Sequence, residues 1–149
     1  MGVPSCDATE SAPSSLEWGS TRALTEHIPE LDAQLRLQIT YLDAAVLVWA
    51  QAGPGSGSHV MPALDTFAVA FPAAAGNAGT GAAATQLLGS GAMYGDVSAD
   101  TARLLARRLN MPVYVSIQMR ADDLMLRELV LRRVIKEWDA MRPGTNCEG

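Results

Sequence analysis

Three glycines are the residues whose spacing most resembles a phosphate-binding loop. Gly89, Gly91 and Gly95 follow the apolar pair Leu87-Leu88 and precede a segment with helical periodicity. Glycines between a strand and a helix N-terminus can cradle a phosphate. The dinucleotide-binding spacing and the Lys-Ser/Thr pair of a P-loop are both missing, however. The context therefore does not support a phosphate-binding loop, and a small nucleotide-binding protein is the least favoured alternative.

The side chains that most often perform catalysis or bind metals are sparse and scattered. The two histidines, His27 and His59, have no carboxylate or thiol at ligand spacing, and we expect both at the surface. Cys6 and Cys147 lie near opposite ends of the chain, which supports neither a disulfide framework nor a zinc site. We therefore expect no enzyme activity, no metal and no cofactor.

Two further polar sites have ordinary structural explanations. Ser116 lies within a predicted strand and lacks the flanking glycines of a nucleophile elbow. Asp122 and Asp123 precede a predicted helix, where carboxylates interact with free backbone N–H groups. Neither site predicts acid-base or nucleophilic catalysis.

Apolar and basic side chains on two predicted helices form the best candidate for a binding surface. The second helix carries Leu124, Leu131, Val134, Ile135, Trp138 and Met141 on one face, and this face is predicted to pack on a sheet. Other apolar residues near its start project away from that face and need a second cover, a partner subunit or a loop of the same chain. Arginine is enriched in protein interfaces. The predicted partner interface comprises Met125, Leu126, Leu129, Arg107, Arg108, Arg132 and Arg133.

The elements that position these residues can be predicted from hydrophobic periodicity. Strands are predicted at 35–41, 44–50, 66–71, 85–88 and 113–119, and the first four are expected to form a meander. The continuously apolar run 44–50 is typical of a strand that is covered on both faces. Helices are predicted from Ser98, as N-cap, to Leu109, and from Asp122 and Asp123 to Met141. Trp49, Tyr114 and Trp138 are expected in the core, and the Ala/Gly-rich segment 72–84 as a solvated loop.

Length and composition predict one globular domain. The chain has 149 residues, 48% of them hydrophobic, and its longest apolar run is far too short to span a membrane. We expect a flexible tail at 1–30, a domain at 31–142 and a short tail at 143–149. Neither a secretory signal nor paired cysteines are evident, so we expect a soluble protein in a reducing setting, the cytoplasm or also the nucleus.

Charge is distributed unevenly along the chain. The net charge is −5, yet residues 1–75 hold two bases and eight acids, whereas residues 101–142 hold nine bases and five acids. The overall sign argues against nucleic acid as a partner. The basic C-terminal part favours an acidic protein partner.

An ordered set of motifs resembles the proteasome assembly chaperone 4 family. The motifs are LDAAVLVWAQAG at 42–53, FAVAF at 67–71, TQLLG at 85–89, TARLLARRLNMPVYVSIQM at 101–119 and VIKEW at 134–138. The resemblance extends over residues 35–141, and its most specific part is LARRLNMPVYVS. The loop at 72–84 is longer than the family pattern, and 91–95 is inserted before the helix.

The resemblance implies a fold and a role. The fold is a single α/β domain of the α+β type, an antiparallel β-sheet covered by two main α-helices. The role is noncatalytic: as a heterodimer with proteasome assembly chaperone 3, such a protein helps α subunits of the 20S core particle form a ring. Homodimer and monomer both remain open for the isolated chain. The competing hypothesis is a generic dimerising scaffold module of another complex, because a fold alone does not determine function.

Overall fold

The computed structural model describes residues 19–54, 64–73, 81–89, 97–119 and 123–141. The strands are β1 (Thr21–Ile28), β2 (Ala33–Leu42), β3 (Ala45–Pro54), β4 (Phe67–Phe71), β5 (Ala83–Leu88) and β6 (Val113–Gln118). The helices are α1 (Val97–Leu109) and α2 (Leu124–Met141), and a single 3-10 turn (Pro29–Leu31) joins β1 to β2. Neither α1 nor α2 combines the length and apolarity that a bilayer-crossing helix needs. All five predicted strands and both predicted helices are confirmed as elements.

The first strand lies where the sequence predicted a flexible tail. Residues 1–30 were expected to be unstructured, yet Thr21–Ile28 pairs with β2 along its whole length. Only Leu24 and Ile28 place apolar side chains toward the core, so the alternation of apolar and polar residues is too weak to predict the strand. Backbone hydrogen bonds to β2 supply the pairing, and the left-handed conformation of Asp32 (φ 43°) completes the turn. The predicted domain start at residue 31 is therefore wrong.

The six strands form one mostly antiparallel sheet in the order β1-β2-β3-β6-β4-β5. The predicted meander is wrong at one point, because β6 lies between β3 and β4 and runs parallel to β3. The chain reaches this position by way of α1, which follows β5 and precedes β6. A parallel pair needs such a crossover, whereas a tight turn suffices for antiparallel neighbours.

One face of the sheet packs against both helices and forms the core. The alternating side chains of β2 on this face are fully buried, and the register aligns them with equally buried positions of β3 and β6. These core residues are Leu35, Leu37, Ile39, Tyr41, Val46, Val48, Ala50, Val113, Val115 and Ile117. Above them, α1 buries Ala102, Leu105, Ala106 and Leu109, as its helical spacing predicts.

The buried side of α2 matches the prediction at five of six positions: Leu131, Val134 and Trp138 are buried, and Ile135 and Met141 pack partly buried against the core. Leu126, Val130, Val134 and Trp138 recur every four residues and are buried, together with Leu131. Leu124, which was assigned to the buried face, is 62% exposed. Because α2 begins at Leu124, that side chain lies at the free end of the helix rather than over the sheet.

A buried hydroxyl pair connects β4, α1 and β6. Ser98, predicted as the N-cap of α1, lies within the helix instead and accepts a hydrogen bond from the Ile117 backbone N–H (3.0 Å). Thr66 Oγ1 donates to the Ile117 carbonyl (2.9 Å), so the Ser98 hydroxyl must donate to Thr66 (2.9 Å). This network holds the start of α1 against the sheet. The helix ends as predicted, at Asn110 in the left-handed conformation (φ 54°).

Candidate partner-binding surfaces

The second face of the sheet carries an apolar surface on which neither α1 nor α2 packs. Register places Leu47 of β3, Tyr114 of β6 and Val69 of β4 side by side on this face. Seven large apolar side chains belong to it. These residues, which we call the open sheet face, are Leu47, Trp49, Phe67, Val69, Phe71, Leu88 and Tyr114.

Contacts made by the helices show that both lie on the opposite face. The ring of Tyr41, on the core face of β2, stacks on Trp138 of α2 with centroids 6.3 Å apart. The Ser98 hydroxyl of α1 accepts a hydrogen bond from the backbone N–H of Ile117, whose side chain belongs to the core. None of the seven residues of the open sheet face belongs to the core cluster or packs against it.

The open sheet face is partly ordered by contacts among its own residues. The rings of Phe67 and Tyr114 stack with centroids 6.0 Å apart and an interplanar angle of 19°. Toward the sheet edge the apolar surface becomes more accessible, since Phe71 is 51% exposed and Leu88 is 47% exposed. A contiguous apolar surface of this kind is typical of a site that binds another protein.

Polar residues border the open sheet face at the C-terminal end of β6. The Gln118 amide oxygen is placed to accept hydrogen bonds from Ser116 Oγ (3.1 Å) and from the Asp65 backbone N–H (2.9 Å). Both side chains are buried and satisfied, so Ser116 has a structural partner rather than a catalytic one. These buried polar side chains therefore mark where the apolar surface ends along β6.

One pattern in the sequence indicates this surface. The apolar run 44–50 predicts a strand covered on both faces, but the helices cover only one face of β3. Trp49 and Tyr114 were expected in the core and lie on the open sheet face instead, half-buried, whereas Trp138 is in the core as predicted. The second cover that the run requires must come from outside the two helices.

The three apolar residues of the predicted partner interface have different environments. Leu126 is 2% exposed and belongs to the core, so its assignment to an interface is wrong. At 100° per residue it lies on the same side of α2 as Val130, directly over the sheet. Leu129 is half-buried against the edge of the core, and Met125 is 53% exposed.

The four arginines of the predicted interface all lie on the helices, and three of them form ion pairs with carboxylates of α2. Arg107 is exposed and has no ion pair among the described residues. The three pairs are Arg108–Asp139 at 3.6 Å, Arg132–Glu128 at 3.0 Å and Arg133–Glu137 at 3.7 Å. The first of these joins α1 to α2 and therefore brings the outer sides of the two helices together.

A polar cluster under α2 has no feature of a reactive site. Arg22 of β1 donates a hydrogen bond to Glu137 (3.1 Å), next to the buried phenol of Tyr41. Burial raises the pKa of Tyr41 to about 12, while the nearby Arg22 guanidinium opposes and Glu137 adds to the shift. A phenol with this pKa stays protonated at neutral pH, so it cannot act as a base there.

The remaining candidates for chemistry do not converge. His27 is exposed on β1, and Gly89 forms a tight turn with φ +89°, where an added Cβ would lie 2.7 Å from the Asp65 carbonyl oxygen. Within the described residues, no three His, Cys, Asp or Glu side chains are grouped so as to hold a metal ion. Several candidates lie outside the described residues: Cys6, His59, Gly91, Gly95, Asp122 and Cys147.

Comparisons with known proteins agree with the architecture. A solved structure described as the crystal structure of a novel chaperone complex for yeast 20S proteasome assembly is similar to this chain, with a TM-score of 0.54 and 16% sequence identity. The similarity covers 82% of this chain and 98% of that chain, and at this identity it shows a shared fold. A comparison with curated proteins finds no match. The family model described as proteasome assembly chaperone 4 matches residues 34–119, more than half of the sequence. The chain therefore belongs to the proteasome assembly chaperone 4 family.

Proposed function

We propose that this protein is a noncatalytic chaperone that assists assembly of the 20S proteasome α-ring as one half of a heterodimer with proteasome assembly chaperone 3. Membership of the chaperone family supports a role in proteasome assembly. The observation that carries the heterodimer is the open sheet face, an apolar surface that neither helix of the chain covers.

We assign the open sheet face to the partner chaperone. Two sheets pack face to face about 10 Å apart when apolar side chains of both inner faces interdigitate. Leu47, Trp49 and Tyr114 lie on the central strands β3 and β6, where such packing excludes water most completely. Gln51 and Gln118 lie at one end of this face, where they are buried within the chain and mark the limit of its apolar surface.

The remaining partners follow from this role. The heterodimer binds α subunits of the 20S core particle and requires no cofactor, metal, nucleic acid or membrane. It acts in the cytoplasm and in the nucleus, wherever α subunits assemble. In isolation the chain is expected to form a homodimer, since a second copy is then the available cover for the open sheet face.

Affinity purification of the tagged full chain from its own cells at low salt tests this proposal. We expect mass spectrometry to recover a second small chaperone together with α subunits and to find mature β subunits depleted. A stable complex without proteasome subunits would instead support the generic dimerising scaffold. A panel of nucleotides serves as a control, because any nucleotide that binds the folded state must raise the melting temperature. We expect no such rise.

A further inference from the structure

The outer side of the helix layer forms a second surface, on the opposite side of the sheet from the open sheet face. We call this surface, which is defined by exposed residues of α1 and α2, the helical outer face; its residues are Leu104, Arg107, Arg108, Met125, Arg132 and Lys136. Resting on the proposed function, we propose that the helical outer face binds an acidic protein surface on a proteasome α subunit while the open sheet face holds the partner chaperone.

Charge distinguishes this surface from the rest of the chain. The two helices carry seven bases and four acids, although the whole chain has a net charge of −5. A local excess of positive charge raises the rate at which a negatively charged partner is captured. The helical outer face therefore has the sign that fits an acidic partner.

Two of its cations are available for a partner. Arg107 and Lys136 are exposed and form no ion pair with any described residue. The Arg108–Asp139 pair (3.6 Å) connects α1 and α2 at this end, so the two available cations belong to one continuous surface. Met125, Arg132 and Lys136 are spaced by seven and four residues and share one side of α2.

Exposed apolar side chains accompany the charge. Leu104 of α1 is 42% exposed and Met125 of α2 is 53% exposed. Charged side chains mainly steer the encounter, whereas burial of apolar side chains contributes more of the affinity. A modest apolar area with a charged border fits a partner that binds and later leaves, as an assembly chaperone must.

The pattern favours a protein over a nucleic acid. Glu128, Asp139 and Asp100 are interspersed with the bases and would repel a continuous phosphate backbone. The aromatic side chain of α2, Trp138, is 8% exposed and packs on Tyr41, so it offers no ring for base stacking. A folded protein can place its own cations opposite these carboxylates.

The test compares two double variants with the same change in net charge. Arg107→Ala with Lys136→Ala removes both available cations from the helical outer face. Leu31→Glu with Ala44→Glu adds two negative charges at exposed turns that flank β2 and uses no residue of either surface. Each variant is purified as a heterodimer with proteasome assembly chaperone 3, and its affinity for individually purified α subunits is measured at low and at physiological salt.

We expect the Arg107→Ala, Lys136→Ala variant to bind its α subunit about tenfold more weakly at low salt, with a smaller dependence on salt and unchanged heterodimer formation. The control variant should keep the wild-type affinity. Unchanged binding by the first variant, an equal loss in the control, or displacement of the α subunit by a short RNA duplex would overturn the inference. Failure of the wild-type heterodimer to bind any α subunit would instead contradict the proposed function.

Discussion

Replacing one exposed aromatic of the open sheet face should weaken the heterodimer without unfolding the monomer. Phe71 is 51% exposed in the single chain. A phenylalanine buries roughly 200 Å² when fully covered, so a partner that packs on Phe71 removes about another 100 Å² from water. At about 25 cal/mol per Å² this burial contributes about 2.5 kcal/mol. Phe71→Ser is therefore expected to raise the Kd for proteasome assembly chaperone 3 by about 60-fold.

Met125→Ser provides a control of matched exposure. Met125 is 53% exposed but lies on α2, on the helix side of the sheet. Isothermal titration of each purified variant with proteasome assembly chaperone 3 measures the affinity, and thermal unfolding checks that both variants fold. We expect Met125→Ser to leave this affinity unchanged. A large loss for Met125→Ser together with none for Phe71→Ser would refute the assignment of the two faces and return the heterodimer interface to the start of α2.

Three further predictions concern what stabilises the fold. Leu126→Ala should lower the free energy of unfolding, measured in urea, by about 2–5 kcal/mol because it leaves a cavity under α2. The control Met125→Ala should change the free energy of unfolding by less than about 0.5 kcal/mol. Ser98→Ala should cost about 1–3 kcal/mol because the Ile117 N–H loses its acceptor, and a change within error would show that water replaces the hydroxyl. Because burial raises the pKa of Tyr41 from its usual 10.0 to about 12 in the folded chain, its stabilising contribution is complete below pH 10 and is lost as pH rises to 12. Urea titrations from pH 8 to 11 measure this effect. Above pH 10 the free energy of unfolding of the wild type should fall by up to about 1.4 kcal/mol per pH unit, and that of Tyr41→Phe should fall less steeply. Equal slopes would contradict this source of pH dependence.

Periodicity predicts most of the elements of this fold because their burial is one-sided and regular. Alternation of Leu35, Leu37 and Ile39 identifies β2, and the stop signals at Asn110 and Pro112 separate α1 from β6. Hydrophobic periodicity does not predict the strand β1. It is an edge strand held mainly by backbone hydrogen bonds, and backbone pairing leaves little trace in side-chain pattern.

The order of strands was harder to predict than their existence. Nothing local marks β6 as the neighbour of β3, since a parallel pair is set by the path of α1 over the sheet. The burial of alternate β6 residues, Val113, Val115 and Ile117, is equally compatible with a central position in a meander. The order of the strands therefore depends on long-range packing, which the pattern of a single sequence does not show.

The apolar surface that the structure leaves uncovered by its helices differs from the interface that the sequence predicts. Surplus apolar side chains at the start of α2 suggested an interface there, yet α2 directs Leu126 into the core. The stronger signal was the unbroken apolar run around Trp49, because a strand buried on both faces needs two covers and this chain provides helices for one. The exposed Arg107 remains a predicted contact, now assigned to the helical outer face.

Reconstitution with purified components shows whether the chain assists α-ring assembly. Isolated α subunits are mixed with the full chain and proteasome assembly chaperone 3, and native mass spectrometry follows the species formed before and after β subunits are added. We expect a 1:1 chaperone pair on α-subunit intermediates, a higher yield of α-rings than with either chaperone alone, and loss of the pair once β subunits join. Equal yields of α-rings with and without the chain, or a chain that never associates with α subunits, would contradict this expectation.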